Sequence, residues 1–268
     1  MPNACPRRQS GPSLLPLAAV AAALIAGAAQ AGPVPSRAAV AKAAALAANE
    51  QLELARALVQ AGQDGAALDA YSRALTAGVR DPAARLEYAR VLERNGQWAD
   101  AARAWLDIDG ERDAYEARLG AMRCAIRLNQ PAVALQQAEA ALRRRPRETA
   151  ALVGRGVALD GLGRHAEAQA SYRAALARDP GDLPARNNLA LSLALSGQYD
   201  EAAQRLGDLA ASADATPQVR QNLALVYGLK GDRAAATRVG AEDLPPQVAA
   251  ANAEFLAQVS RAGSKPSR

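Results

Sequence analysis

Arg56, Arg90 and Arg123 recur at intervals of 34 and 33 residues. A guanidinium presents a planar fork of donors that suits carboxylates on a partner peptide. The same arginines have acidic neighbours in Glu53, Glu87 and Glu93, and the Glu53/Arg56 and Glu87/Arg90 spacings are those of i,i+3 pairs on a helix face. Two uses stand side by side for them, capture of a ligand and internal ion pairing. Farther along, Asn187, Asn188 and Leu191 are echoed by Gln221, Asn222 and Leu225. An amide both donates and accepts, so such a set can clamp the backbone of an extended peptide while the leucines offer apolar contact. The competing role for an Asn close to a helix start is to cap or solvate that start.

No comparable constellation points to catalysis. One His and two distant Cys exclude a His/Cys zinc cluster. There is no phosphate-binding glycine loop, no nucleophile elbow and no catalytic Ser/His/Asp arrangement. The expectation is a protein with no catalytic residues, no bound metal and no cofactor. Aromatic residues make up only 3% and do not interleave with basic ones, which argues against a stacking platform for single-stranded nucleic acid. The net charge of +5 is mild for 268 residues and demands no polyanionic partner. Arg143-Arg144-Arg145 closes a helix, where cations are favoured, and reads as a solvated run.

The elements that must hold these residues are helices. Alanine is the commonest residue, β-branched and aromatic residues are scarce, and the Ala/Leu/Arg/Glu/Gln mixture favours helix. Their ends are marked by Gly62, Gly96, Asn129, Gly163, Gly197 and Gly231, at steps of 34, 33, 34, 34 and 34 residues. Gly, and after it Asn, is favoured just past a helix end because it reaches positive φ most easily. Five residues after each mark stand Ala67, Ala101, Ala134, Ala168, Ala202 and Ala236, small enough to let two antiparallel helices approach. Nine after come Tyr71, Trp105, Ala138, Tyr172, Leu206 and Gly240, whose large members fill the space between helices. Pro82, Pro146, Pro180 and Pro217 lie at or near unit boundaries, where proline stops one helix or starts the next. His165 takes the offset held elsewhere by Trp98 and Tyr199, which makes it a packing residue rather than an acid or base. Trp98 and Trp105 pack between helices in this register, and Cys124, beside Ala125, is expected to be buried.

The six units run over 48–81, 82–114, 115–148, 149–182, 183–216 and 217–244. A helix over 245–260, carrying Val248, Phe255, Leu256 and Val259, caps the last of them. Residues 32–47 are read as an Ala-rich linker and capping helix after a Gly-Pro-Val-Pro start, and the small, basic tail 261–268 is expected to be disordered. Residues 1–31 stand apart. Arg7 and Arg8 precede an uncharged Ala- and Leu-rich run from Leu14 to Ala29, and Ala29-Gln30-Ala31 is a small-x-small site before Gly32. These parts in this order form a secretory signal, so export and cleavage after Ala31 are expected, which removes Cys5; the alternative is an uncleaved anchor. No other run is apolar for long enough to span a bilayer.

The repeated helix–turn–helix resembles the tetratricopeptide repeat over 48–244. The match is best in Thr149 to Asp182, where Gly156, Leu159, Gly163, Ala168, Tyr172, Ala175 and Pro180 hold the expected offsets. The resemblance implies an all-α, right-handed α-α superhelix of about six helical hairpins plus a C-terminal capping helix. It further implies a concave groove lined by the first helix of each unit, with Arg56, Arg90 and Arg123 at one groove position and the Asn187 and Gln221 sets on the same face.

Within that family, Arg186-Asn187-Asn188-Leu189-Ala190-Leu191-Ser192-Leu193, Gly197-Gln198-Tyr199-Asp200-Glu201-Ala202 and Thr216-Pro217-Gln218-Val219-Arg220-Gln221-Asn222-Leu223-Ala224-Leu225 resemble TadD-type proteins of the Tad (Flp pilus) assembly system. With Gly228-Leu229-Lys230-Gly231-Asp232, this covers roughly 149–260. It implies a non-enzymatic periplasmic scaffold that helps the pilus secretin localise or assemble at the outer membrane. The implied partner is a peptide segment of a pilus secretion component such as the secretin, with no nucleic acid and with membrane contact only through a partner. Members are commonly lipoproteins, and here no Cys follows the apolar run to carry a lipid. The alternative is a general cell-envelope adaptor for another assembly or cell-wall machine.

Overall fold

The computed structural model of the protein describes residues 36–108 and 114–263, and every regular element among them is an α-helix. The signal expected at 1–31 lies outside the described residues, as do 32–35 and 264–268. Residues up to Ala47 and residues from Ala48 onward form two units. The described part of the first is the opening of helix α1 (Arg37–Gln60), exposed throughout as far as Ala47. Residues 37–47, read from the sequence as linker and capping helix, are helical, while 32–35 lie outside the described residues. No Gly or Pro interrupts α1, and its Ala, Leu, Glu and Gln residues favour helix.

From Ala48 the chain folds into hairpins. Helix α1 pairs with α2 (Asp64–Thr76), α3 (Pro82–Arg94) with α4 (Trp98–Leu106), and α5 (Ala114–Arg127) with α6 (Pro131–Arg144). Next come α7 (Thr149–Gly161) with α8 (His165–Leu176), α9 (Leu183–Leu195) with α10 (Tyr199–Ala210), and α11 (Pro217–Lys230) with α12 (Arg233–Gly240). Helix α13 (Pro246–Gly263) closes the array by packing on both α11 and α12. It also absorbs Arg261 and Ala262, which the sequence placed in a disordered tail; neither breaks a helix, and the first breaker is Gly263.

The turns inside the hairpins share one geometry. The ruler glycines all have positive φ, from 70° at Gly62 to 91° at Gly231. Asn129, at 53°, is the one non-glycine among the described residues that does so. One residue past each mark, an amide donates back to the carbonyl five residues earlier, as in Gln63 to Leu58 (2.9 Å), Gln130 to Ala125 (2.9 Å) and Gln198 to Leu193 (2.9 Å). This closure satisfies the last carbonyls of the first helix and sends every second helix off in the same direction. Returning turns are closed by side-chain caps, with Asp81, Asp182 and Thr216 accepting from the amides of Ala83, Ala185 and Val219.

Between the two helices of each hairpin, the small and large positions meet as their spacing requires. Ala67, Ala101, Ala134, Ala168 and Ala202 are fully buried, and so are Trp105 and Leu206; Tyr71 and Tyr172 are nearly so. The large rings also need small partners. A Cβ at Gly120 would collide with the Trp105 ring, and one at Gly156 with the Tyr172 ring. The buried apolar residues divide at the third hairpin, where Ala138 replaces a ring. One cluster runs from Ala48 to Cys124 and another from Leu159 to Val239, with two small groups around Ala125, Ala134 and Ala141 between them.

Cys124 is fully buried, and that burial pushes its thiol up to about 12. A neutral, enclosed thiol is a poor nucleophile. Iodoacetamide at pH 8 is therefore expected to leave the Cys124 peptide unlabelled in native protein and to label it after denaturation, as read by peptide mass mapping. Labelling of Cys124 at the same rate in both states would contradict the placement.

The first helices also touch one another, α3 with α5, α5 with α7, α7 with α9, α9 with α11 and α11 with α13. They form the inner layer, the side on which a curved stack is compressed.

Candidate peptide-binding groove

Arg56, Arg90 and Arg123 all lie on inner helices, and each is bound to carboxylates. Arg56 donates from Nε to Glu87 (2.9 Å), from Nη2 to Asp81 (2.8 Å) and from Nη1 to Glu53 (3.0 Å). Arg90 donates from Nε to Glu116 of α5 (3.0 Å) and from Nη2 to the same oxygen. Arg123 reaches back to Glu93 of α3 with two bonds, 3.0 and 2.7 Å, while its guanidinium lies 5.9 Å from the Trp105 ring. Of the same-helix pairs suggested by i,i+3 spacing, Arg56 with Glu53 forms. Glu87 turns to Arg56 rather than Arg90. Side-by-side packing of inner helices brings an acid of one helix to an arginine of the next, and a two-pronged or shared bond there is stronger than a single i,i+3 contact.

This half of the face has no surplus of positive charge. Arg56, Arg90, Arg94 and Arg123 are bonded to Glu53, Asp64, Asp81, Glu87, Glu93 and Glu116. Arg127 stacks over the half-buried Trp98 ring at 4.9 Å. Arg94 grips Asp64 with bonds of 2.9 and 2.7 Å and holds its carboxyl below the usual carboxylate range. A depressed folded-state value means that this contribution is fully present above the unfolded carboxylate range and is lost as pH falls from that range through the lower folded value. The urea midpoint should drop between about pH 5 and pH 3, and Asp64→Asn should drop less over that interval. An equal drop in both proteins would remove Asp64 from the account.

The amides at the other end are joined rather than scattered. Asn222 Nδ2 donates to Asn187 Oδ1 across α9 and α11 (2.8 Å), Asn187 Nδ2 donates to Asn188 (3.3 Å), and Gln218 donates to Asn222 (3.0 Å). The Asn pair does not cap its helix, because Asp182 performs that task for α9. Asn222 is buried in the ladder, whereas Gln221 is exposed and Leu191 and Leu225 are half-exposed. Gln221 and Leu225 line a cavity of about 360 Å³ with Asn252, Phe255 and Leu256 of α13 and Gly240 of α12.

Two features escaped sequence reasoning. Phe255 was assigned to a cap, yet it is 63% exposed beside Leu225. The signal was available, since Phe255 follows Gln221 and Val259 follows Leu225 by 34 residues. The second is a carboxylate hub. Asp160 accepts from His165 Nδ1 (2.8 Å), Tyr172 Oη (3.0 Å) and Ser192 Oγ (2.7 Å). Burial and the neighbouring carboxylate both push the Tyr172 phenol well above its ordinary range, so it stays a neutral donor. His165 thus packs and bonds at its turn. The Ser192 hydroxyl points at the acid rather than the imidazole, and the trio ties α7, α8 and α9 together.

Stacked antiparallel hairpins with a common inner layer define an α-solenoid of the kind that presents an extended protein-binding surface. Tetratricopeptide-repeat models match residues 52–109, 123–182 and 161–226. The chain belongs to the tetratricopeptide-repeat family. Its fold is similar to that of a tetratricopeptide repeat protein from Parabacteroides merdae (TM-score 0.67, 17% identity, covering 82% of this chain and 94% of that one). It is also similar to PilW, a widely conserved type IV pilus biogenesis factor (TM-score 0.60, 21% identity, 80% and 98% covered). A third likeness is to YrrB, a tetratricopeptide protein with an unusual peptide-binding site (TM-score 0.51, 20% identity, 70% and 99% covered). No curated protein sequence matches the chain.

Proposed function

We propose that the protein is an exported, non-enzymatic scaffold whose inner face holds a segment of a pilus secretion component, the secretin foremost, during assembly of a Tad-type pilus. The observation that carries the scaffold reading is the inner layer itself, in which side chains of successive helices line up at one register and leave Gln221, Leu191 and Leu225 open to a ligand. The pilus assignment draws on the resemblance of residues 149–260 to TadD-type proteins, and a fold shared with a type IV pilus biogenesis factor agrees with it. The amino-terminal pattern through Ala31 supports export to the periplasm. Deleting the gene is expected to lower secretin abundance or misplace it and to reduce piliation. Unchanged secretin level, location and pili would end the pilus reading. Affinity capture from envelope extracts that returned a different machine would point to a general envelope adaptor.

A further inference from the structure

Near the turns that join one hairpin to the next, arginines recur eleven residues before each turn mark, as Arg85, Arg118, Arg186 and Arg220 on α3, α5, α9 and α11. Each has a partner. Arg85 donates to the carbonyl of Asp107 (3.3 Å), Arg118 to Gln137 (3.0 Å) and Arg220 to Asp243 (2.8 Å), while Arg186 lies 3.6 Å from Asp214. On α7 that position is Leu152, and there the pattern breaks.

Around the start of α7 the cations gather instead. Arg145 and Arg147 of the turn before α7, with Arg178 of the turn before α9, line a cavity of about 350 Å³ together with Pro146 and Glu148. Arg147 and Arg178 are exposed, and neither side chain has an ion-pair or hydrogen-bond partner among the described residues. Arg145 lies over the buried Tyr115 ring at 4.1 Å, a contact that uses the face of the guanidinium rather than its N–H donors. Glu148 is the one acid among the lining residues, so it offsets one of three cations. Asp179 and Asp182, the nearest acids along the chain from Arg178, accept from the backbone amides of Gly181 (3.0 Å) and Ala185 (2.7 Å). Glu148 also precedes the first residue of α7, and unlike Asp182 before α9 it gives its helix no side-chain cap. The positive end of the α7 dipole is thus left beside the arginine-lined cavity. Like charges collected without an equal counter-charge repel one another, and a bound anion would remove that repulsion.

We infer that Arg145, Arg147 and Arg178, with the start of α7, form a binding site for a phosphate group. The site stands apart from the inner face and does not depend on the pilus reading. Phosphate suits it for three reasons. Its tetrahedral oxygens can meet several guanidinium forks at once, whereas a carboxylate offers two oxygens in one plane. An uncapped helix start supplies amide donors and positive potential to such an anion. The cations converge on one cavity, while an acidic peptide or a nucleic-acid strand would call for open cations along several turns, and the arginines on α5 and α9 are already engaged. Such a phosphate has two sources, a soluble phosphate compound or a phospholipid headgroup.

The test uses the full chain, with titration calorimetry against inorganic pyrophosphate and flotation with phosphatidylcholine vesicles lacking or containing phosphatidylglycerol. Pyrophosphate binding at one site per chain assigns a soluble source. Binding seen only with the phosphatidylglycerol vesicles assigns a headgroup. In either case Arg147→Gln/Arg178→Gln should weaken the interaction at least about tenfold. That variant should leave the urea midpoint at or above the native value, because two exposed, mutually repelling cations are lost; a lower midpoint would make them structural and overturn the site. Arg37→Gln/Lys42→Gln removes the same charge from exposed positions on α1 and should keep affinity within about twofold. No binding in either format, equal loss in the two variants, or a Glu-rich peptide bound as tightly as the phosphate probe would also overturn the inference.

Discussion

Trp105→Ala is expected to lower the unfolding free energy by about 3–5 kcal/mol, the largest loss that a single truncation in this array should produce. The ring is fully buried between α4 and α5. Its Nε1 donates to Glu93 at 3.1 Å, and Glu93 is the carboxylate that also holds Arg123. Truncation thus opens a cavity and loosens an inter-helix ion pair at once. Gly120 provides the control, since a Cβ there would run into the ring. Gly120→Ala in the native background should cost about 1–3 kcal/mol through overpacking. In the Trp105→Ala background the same change should cost nothing or stabilise, because the added methyl enters the vacated space. Urea denaturation of the four proteins yields the coupling energy directly. Additive effects would show that the two residues do not share the space assigned to them.

Asp160→Ala is expected to cost about 3 kcal/mol, and the loss comes from stranded donors rather than from volume. Tyr172 and Ser192 are buried, and both hydroxyls lose their acceptor together with His165 Nδ1. Ser192 has a partial substitute in the His165 carbonyl at 3.5 Å, and Tyr172 has no other bonded acceptor among the described residues. Asp160→Asn keeps an acceptor oxygen and should lose less. Tyr172→Phe removes the buried donor that has no second acceptor, so adding Asp160→Ala on top of it should cost clearly less than in the native chain. Denaturant midpoints read all four states of this cycle. A full additive loss in the Tyr172→Phe background would remove the phenol from the hub.

The fold was legible because its determinants are local. Only Gly or Asn closes a helix at positive φ without much strain, so Gly96, Asn129 and Gly163 announce their turns, and the alanines five residues on announce the close approach. Burial of Cys124 followed from the same register. The groove was legible in part. Position along a helix can be counted, so the sequence could assign Arg90, Leu191 and Gln221 to first helices of their units, where α3, α9 and α11 carry them. The partner of a long charged side chain cannot be counted, because it depends on how far one helix slides past the next. Arg56 with Glu87 and Arg123 with Glu93 are separated by about one repeat and were invisible to same-helix spacing. The Asp160 hub needed three helices to meet, although the unusual residue at its turn, His165, was noticed. Pro245-Pro246 hid the continuation of the register into α13 by looking like an end.

The third hairpin is knit largely by small side chains. Helix α6 buries only Ala134, Gln137, Ala138 and Ala141, so methyl groups stand there in place of the aromatic anchors of its neighbours. Stability in a stack of repeats is carried by each unit and its nearest interfaces, and here small side chains let α5, α6 and α7 approach closely around the buried Tyr115 ring. Leu135 touches both this joint and the cluster that follows it, and Ala125, Ala134 and Ala158 meet across α5, α6 and α7. Methyl groups packed this tightly leave little room to give, so a larger side chain at Ala134, Ala138 or Ala141 would have to push neighbouring helices apart.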